Sequence, residues 1–276
     1  MRIRLPERMF SDADGMVSLT RLADCALRAE EVLEIDVSDV KWIDANLRVA
    51  WEVLRCILER RTCRWAFVNG RAPVEFERMI ERPTCLPYQK FSASGTDDWA
   101  KYVRNVMEHP NMPKMTSAVQ SRLMDSILEV FNNSREHAMT MSGIFACGHA
   151  YPTQKIIRVS IADDGIGFKE RIRKAIGLDM SGEDALSWAV RDGNTVKKDI
   201  SGGLGLKDLK RFVKVNQGKL SILSDDGYWE FSNGEETARH MNFRFPGSLV
   251  TIALRTDDDY IYQLRSEIAG GHNERS

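Results

Sequence analysis

The sequence predicts an α+β protein, in which a small α/β unit precedes a mostly antiparallel sheet that carries helices on one face. Strand and helix patterns alternate over residues 32–80, which is typical of a partly parallel sheet. Further along, a long amphipathic helix begins at Thr116 and is followed by three apolar strand patterns. These patterns lie at residues 156–161, 220–223 and 249–254.

Four patterns in order predict the small α/β unit. Residues 32–37 alternate and contain β-branched side chains, which indicates a strand. The helix that follows Asp44 has apolar residues three and four positions apart, at Leu47, Ala50, Trp51, Leu54, Ile57 and Leu58. Residues 65–68 form the next strand, and a helix through Phe76 stops before Pro83.

Residues 88–115 are rich in Ser, Gly, Asp, Asn and Pro, and they contain one short helical pattern between Trp99 and Met107. This composition is typical of a linker that packs partly on a neighbouring domain. We therefore expect a domain at residues 1–87, a linker at 88–115 and a second domain at 116–276.

The composition excludes several classes of protein. The 276-residue chain has 39 Lys and Arg against 40 Asp and Glu, so it lacks the basic balance of a non-specific nucleic-acid binder, and nucleic acid is not an expected partner. No apolar stretch approaches the roughly 18 residues that span a membrane, and the N-terminus lacks a signal-peptide pattern. We expect a cytoplasmic protein without membrane contact, whose five scattered cysteines are reduced.

Three short motifs follow one another in the second part of the chain. Residues 129–133 (EVFNN) lie in the predicted long helix, residues 163–167 (DDGIG) follow a strand, and residues 202–206 (GGLGL) open another helix. Each motif alone has a simpler explanation, such as an exposed helix charge or a common turn. In this order and in these contexts, the three together indicate a nucleotide site.

The order and residue types of these motifs resemble the GHKL ATPases, the Bergerat-fold family that includes gyrase, MutL and the ATP-binding domains of histidine kinases. The resemblance covers about residues 116–256. It implies an α/β sandwich that binds ATP and magnesium.

The first motif contains the residues expected to bind metal and activate water. Magnesium prefers oxygen ligands, and the side-chain carbonyl of Asn133 offers one without adding charge. Glu129 lies one turn earlier on the same helix face, where a carboxylate can orient and deprotonate an attacking water. Family members that hydrolyse ATP have Glu at this place. The resemblance implies Glu129 as the catalytic residue and Asn133 as the metal ligand.

The second motif is expected to recognise the adenine base. Asp163 stands where the family has a carboxylate that accepts a hydrogen bond from the adenine amino group, and guanine would present a carbonyl there instead. Gly165 and Gly167 let the backbone pass close to base and ribose, where a Cβ would clash. Asp164 occupies a position that is often Asn in the family, and we assign it a lesser role.

The third motif contributes three glycines ahead of a helix: Gly202, Gly203 and Gly205. Their backbone N–H groups are expected to point at phosphate oxygens. Lys207 either adds charge there or lies on a solvated helix face. Ser248 matches the family residue that bonds adenine through water, with a plain strand hydroxyl as the alternative. Residues 168–201 are the expected lid over ATP.

About residues 15–87 resemble a STAS domain, the fold of anti-sigma-factor antagonists. In that family a strand leads into a D-S-x-G turn and then a helix, and here the turn begins Asp44-Ala45-Asn46. Ala45 stands in place of the serine that switch proteins phosphorylate, and it has no hydroxyl to accept a phosphoryl group. The resemblance implies a STAS-like domain that is not switched at this position.

Together the resemblances imply a regulatory protein that binds Mg-ATP and hydrolyses it slowly. Ordering of the lid would change contacts with an unidentified protein partner or with a second copy, since ATP-dependent dimers are common in the GHKL family. Two alternatives stay open. Glu129 also suits an anti-sigma-type serine kinase that phosphorylates a separate protein, and the same motifs suit a module that holds ATP without turnover.

Overall fold

The computed structural model describes residues 1–77, 83–92, 98–137, 139–191 and 204–270, and two main sheets organise these residues. A three-stranded parallel sheet lies in the N-terminal part, and a five-stranded antiparallel sheet lies in the C-terminal part. This arrangement agrees with the predicted α+β class. None of the helices among the described residues combines the length and apolar character needed to cross a membrane.

The N-terminal unit places its parallel strands in the order β1-β3-β5, with a second, two-stranded pair β2-β4. Its elements are β1 (Arg2–Arg4), β2 (Arg8–Met9), α1 (Ala13–Arg28), β3 (Val32–Asp36), β4 (Trp42–Ile43), a 3-10 turn (Ala45–Leu47), α2 (Arg48–Arg60), β5 (Arg64–Val68) and α3 (Val74–Glu77). The predicted strands at 32–37 and 65–68 and the helix between them are confirmed.

Helix α1 is absent from the sequence-based prediction, which places no element before residue 32. The helix begins after Asp12, whose carboxylate accepts a hydrogen bond from the N–H of Gly15 at 2.9 Å, as a helix N-cap does. Its buried residues have helical spacing: Met16, Leu19, Leu22, Ala23 and Ala26. The same pattern that predicts α2 is therefore present in α1.

The C-terminal unit has strand order β6-β7-β8-β10-β9, and every neighbouring pair is antiparallel. Its elements are β6 (Cys85–Phe91), α4 (Trp99–Met107), α5 (Ser117–His137), β7 (Ile144–Tyr151), β8 (Ile156–Asp163), α6 (Gly167–Ile176), α7 (Gly182–Ala189), α8 (Leu204–Asn216), β9 (Lys219–Ser232), β10 (Glu235–Arg255) and α9 (Arg265–Gly270). The long helix begins one residue after Thr116, whose hydroxyl accepts the N–H of Val119 at 3.4 Å.

Much of the segment predicted as a linker, residues 88–115, is regular structure of the C-terminal unit. Strand β6 pairs with β7 at the edge of the five-stranded sheet, so the expected boundary at residue 87 falls inside a strand. Trp99 and Tyr102 of α4 are buried and pack their rings against Phe131 of α5. Because the segment is polar on average, its composition did not predict these aromatic contacts.

The strand patterns predicted at residues 220–223 and 249–254 belong to one long hairpin. Strands β9 and β10 pair from Glu235 onward and meet at Asn233 and Gly234, which have φ of 54° and 82°. Positive φ at both central residues is the requirement of a tight hairpin turn. Asp225, with φ of 52°, lies where the register shifts, so it marks an irregularity within the strand.

Helices cover both faces of the five-stranded sheet, where one covered face was predicted. Along β8, Val159 and Ile161 pack into the core formed with α4, α5 and α8, while Ala162 packs into the core formed with α1 and α2. Successive side chains of a strand point to opposite faces. The two N-terminal helices therefore lie between the parallel and the antiparallel sheet.

Candidate nucleotide site

Asp163 is the last residue of β8, and its side chain is buried. Its Oδ2 accepts hydrogen bonds from the hydroxyls of Ser134 on α5 at 2.8 Å and Ser248 on β10 at 2.6 Å. Its Oδ1 accepts the backbone N–H of Gly165 at 2.9 Å. Ser248 lies directly opposite Asp163 in the register of the two strands. Three separate segments thus fix the orientation of this carboxyl group.

The environment of Asp163 is unusual for a carboxyl group. Burial raises its pKa above the ordinary value, and the hydrogen bonds that it accepts oppose this shift. A buried carboxyl with a perturbed pKa beside a cavity is a typical feature of functional sites.

A small cavity opens beside this carboxyl group; its own volume is about 20 Å³, and the figure rises to about 370 Å³ only when the open space at its mouth is counted. Residues of α5, of the second motif and of α6, α8 and β10 line it: Val130, Asn133, Ser134, Asp163, Gly167, Phe168, Arg171, Leu206, Ser248 and Val250. The side chains of Val130, Leu206 and Val250 supply apolar wall, and Asp163 supplies a polar group. Apolar walls with a few placed polar groups are typical of small-molecule sites.

Asn133, the predicted metal ligand, lies on the wall of the cavity. Its Oδ1 accepts a hydrogen bond from Nη2 of Arg171 on α6 at 3.0 Å. An amide oxygen is a ligand type that magnesium accepts, so Asn133 fits the predicted role chemically. The guanidinium engages that same oxygen and repels a second cation. Arg171 in this position therefore opposes metal binding at Asn133.

Glu129, the predicted catalytic residue, is half-buried on α5, one turn before Asn133. The start of α8 lies against it. A Cβ on Gly205 would lie only 2.5 Å from Cγ of Glu129 and 3.0 Å from the backbone oxygen of Ser126. Gly205 therefore allows α5 and α8 to approach closely. This packing role is additional to the phosphate contact that the sequence predicted for it.

The rest of the third motif is only partly described. Gly202 and Gly203 lie outside the described residues, as do residues 192–201 of the expected lid. The described part of that segment contains two helices, α6 and α7. Lys207 is 7% exposed, which excludes the alternative that it lies on a solvated helix face.

Gly167 begins α6 with a φ of +75°. A Cβ there would lie 2.8 Å from Oγ of Ser224 and would overlap the carboxylate of Asp225. Ser224 Oγ accepts the backbone N–H of Phe168 at 3.0 Å, so β9 closes the first turn of α6. The second glycine of the motif thus fixes the start of the helix that carries Arg171.

Four residues in or beside the site were not assigned an important part in it from the sequence: Ser134, Asp164, Arg171 and Gly247. Gly247 has a φ of +92°, and a Cβ there would lie 2.8 Å from Cα of Asp164. It therefore lets the chain bring Ser248 against the end of β8. Ser134 directly follows the first motif. Its position next to Asn133 could have identified it as a site residue from the sequence.

Comparison with known proteins adds no relative: the chain matches no protein-family model and no curated protein.

Proposed function

We propose that this chain binds Mg-ATP in the cavity beside Asp163, as a GHKL-type domain would, and hydrolyses it slowly. The observation that supports this most is the Asp163 carboxyl group, which Ser134, Ser248 and the N–H of Gly165 orient at the wall of a partly apolar cavity. Of these residues, Asp163 and Ser248 are the ones that the motif resemblance designates for adenine.

Recognition of adenine would depend on the acceptor capacity of Asp163. Each carboxylate oxygen has more than one acceptor direction, so the group can still accept a hydrogen bond from the adenine amino group beside its present donors. Guanine would place a carbonyl oxygen there, and two acceptors would face each other in a buried site. Val130 and Val250 would flank the base.

Hydrolysis would depend on residues of α5. Asn133 would contribute a metal ligand once Arg171 has turned away, and the metal when bound would neutralise phosphate charge. Glu129, one turn away, would orient the attacking water and accept its proton as oxygen bonds to the γ-phosphorus and ADP leaves.

The N-terminal unit would serve as a STAS-like module attached to the opposite face of the sheet. Its Asp44 and Asn46 side chains are fully buried, and Asn46 donates to Oγ of Ser160 on β8 at 2.9 Å. Ala45 between them donates its N–H to the hydroxyl of Tyr151 at 3.1 Å. The turn is therefore an internal contact between the two units, and Ala45 offers no hydroxyl for phosphorylation.

The test is calorimetric titration of the full chain with ATP, with and without magnesium, together with phosphate release from the same preparation. We expect saturable binding, a requirement for magnesium and slow release of phosphate. ATP binding without release would indicate the holding module, and label transferred to an added protein would indicate the kinase. Absence of any adenine-nucleotide binding would overturn the proposal.

Arg171→Ala tests whether the arginine competes with the metal. Removing the guanidinium frees Oδ1 of Asn133 and deletes a positive charge, so we expect the magnesium concentration for half-maximal ATP binding to fall about 10-fold, the equivalent of one charge-assisted hydrogen bond of roughly 1.5 kcal/mol. Arg173→Ala, on the same helix and paired with Glu170, is the control. A higher magnesium requirement in Arg171→Ala would instead assign Arg171 to the phosphates.

A further inference from the structure

Two neighbouring carboxylates at the end of β8 serve different parts of the molecule. Asp163 faces the cavity, whereas the Asp164 carboxylate forms an ion pair with Arg60, the last residue of α2 in the N-terminal unit. Their opposite directions follow the alternation of side chains along a strand. Because the two residues are adjacent in the chain, the candidate nucleotide site lies one residue away from a contact with the N-terminal unit.

Asp164 also holds the loop that follows α5. Its Oδ1 accepts the hydroxyl of Thr140, and it accepts the backbone N–H groups of Met141 and Ser142, both at 3.1 Å. Arg60 donates to the hydroxyl of Ser142 as well. The arginine therefore contacts the end of β8 and the α5–β7 loop together.

We propose that Arg60 is a positioning residue of the nucleotide site, through which the N-terminal unit sets the affinity for ATP; this rests on the proposed function. The site needs α5 and β8 in register, because Asn133 and Ser134 come from the helix and Asp163 from the strand. Arg60 and Asp164 connect the ends of those two elements.

Burial distinguishes this ion pair from the surface pairs of the chain. The Asp164 side chain is 0% exposed, and that of Arg60 is 34% exposed. Loss of the cation would leave a buried carboxylate with neutral donors only, and such a group draws in water or shifts its neighbours. Those neighbours are the loop after α5 and Asp163 itself.

Other contacts would keep the two units together without Arg60. Asn46 bonds Ser160, and Arg158 pairs with Asp44 at 3.2 Å. Ser160 lies three residues before Asp163, or about 10 Å along the strand. Removing Arg60 would therefore disturb the site end of β8 while the units stay attached.

The experiment is calorimetric titration of Mg-ATP into the full chain carrying Arg60→Ala, beside Arg61→Ala as the neighbouring exposed arginine. We expect the affinity to fall about 10-fold in Arg60→Ala, in the usual range of coupling between sites, and to stay unchanged in Arg61→Ala. Unchanged affinity in a folded Arg60→Ala protein overturns the inference, while binding by the wild type keeps the proposed function intact.

A second comparison separates positioning from general stability and does not need the single variant to fold. Asp164→Asn keeps an acceptor for the loop donors and removes the buried charge, so Arg60 should no longer matter in that background. We expect Asp164→Asn and the double variant with Arg60→Ala to bind Mg-ATP within about 3-fold of each other. A further 10-fold loss in the double variant would contradict a role through Asp164.

Discussion

Asp163→Asn is expected to weaken ATP binding at least 10-fold while the protein stays folded. The amide replaces one acceptor oxygen with a donor, so a buried donor would face the adenine amino group or the ligand would lose one acceptor. Loss of a hydrogen bond to a charged group costs about 1.5–3 kcal/mol, which corresponds to roughly 10- to 150-fold in affinity before the unpaired donor is counted. Calorimetry with Mg-ATP measures the effect.

The fold should tolerate this substitution. The hydroxyls of Ser134 and Ser248 rotate and accept as readily as they donate, and the remaining Oδ1 still accepts the N–H of Gly165. Because burial raises the pKa of Asp163 in the folded state, its ionised form reduces stability at neutral pH, and the neutral amide removes that cost. The melting temperature should not fall.

Asp125→Asn is the matched control, since Asp125 is exposed on the first part of α5. It should bind ATP like the wild type. A hydrogen bond to a charged group contributes more than about 3-fold in affinity. If Asp163→Asn binds Mg-ATP within about 3-fold of the wild type, Asp163 therefore does not recognise the adenine base.

Local patterns in the sequence predicted many of the elements, although they missed α1, β6, β7 and α6, and they did not predict how the two units pack. The apolar run Ile161-Ala162 shows why. A strand with one covered face alternates apolar and polar residues, whereas a strand covered on both faces is apolar at consecutive positions. Ile161 and Ala162 pack into different cores, on α5 and on the N-terminal helices respectively. The consecutive apolar residues thus indicated that both faces of the sheet are covered. They did not indicate which helices would cover the second face.

In the candidate site too, the sequence predicted the proximity of residues that are close in the chain and missed that of residues far apart. Asn133 and Glu129 share one helix face, so their spacing alone predicted that they lie together. Arg60 and Asp164 are 104 positions apart in the chain, and no periodic pattern links them. The resemblance identified Ser248, but its bond to Asp163 depends on the register of β8 and β10. Contacts made by tertiary packing had no local signal.

Glu129→Gln is the second substitution with a large expected effect, and it separates turnover from binding. The amide keeps the size of the side chain next to Gly205 but cannot accept a proton from water. We expect phosphate release to fall about 100- to 10,000-fold, the usual contribution of a general base, while the affinity for Mg-ATP changes less than about 3-fold. Single-turnover phosphate release and calorimetry measure the two quantities.

The matched control is Glu30→Gln, an exposed glutamate of the N-terminal unit, which should hydrolyse ATP like the wild type. The result also discriminates among the chemistries that Glu129 serves. Loss of release with binding retained would assign Glu129 to the reacting water, because the isosteric Gln preserves any packing against Gly205 and would leave release unchanged if packing were the only role. Unchanged release in Glu129→Gln would remove Glu129 from catalysis, and the helix contact with Gly205 would then be its function.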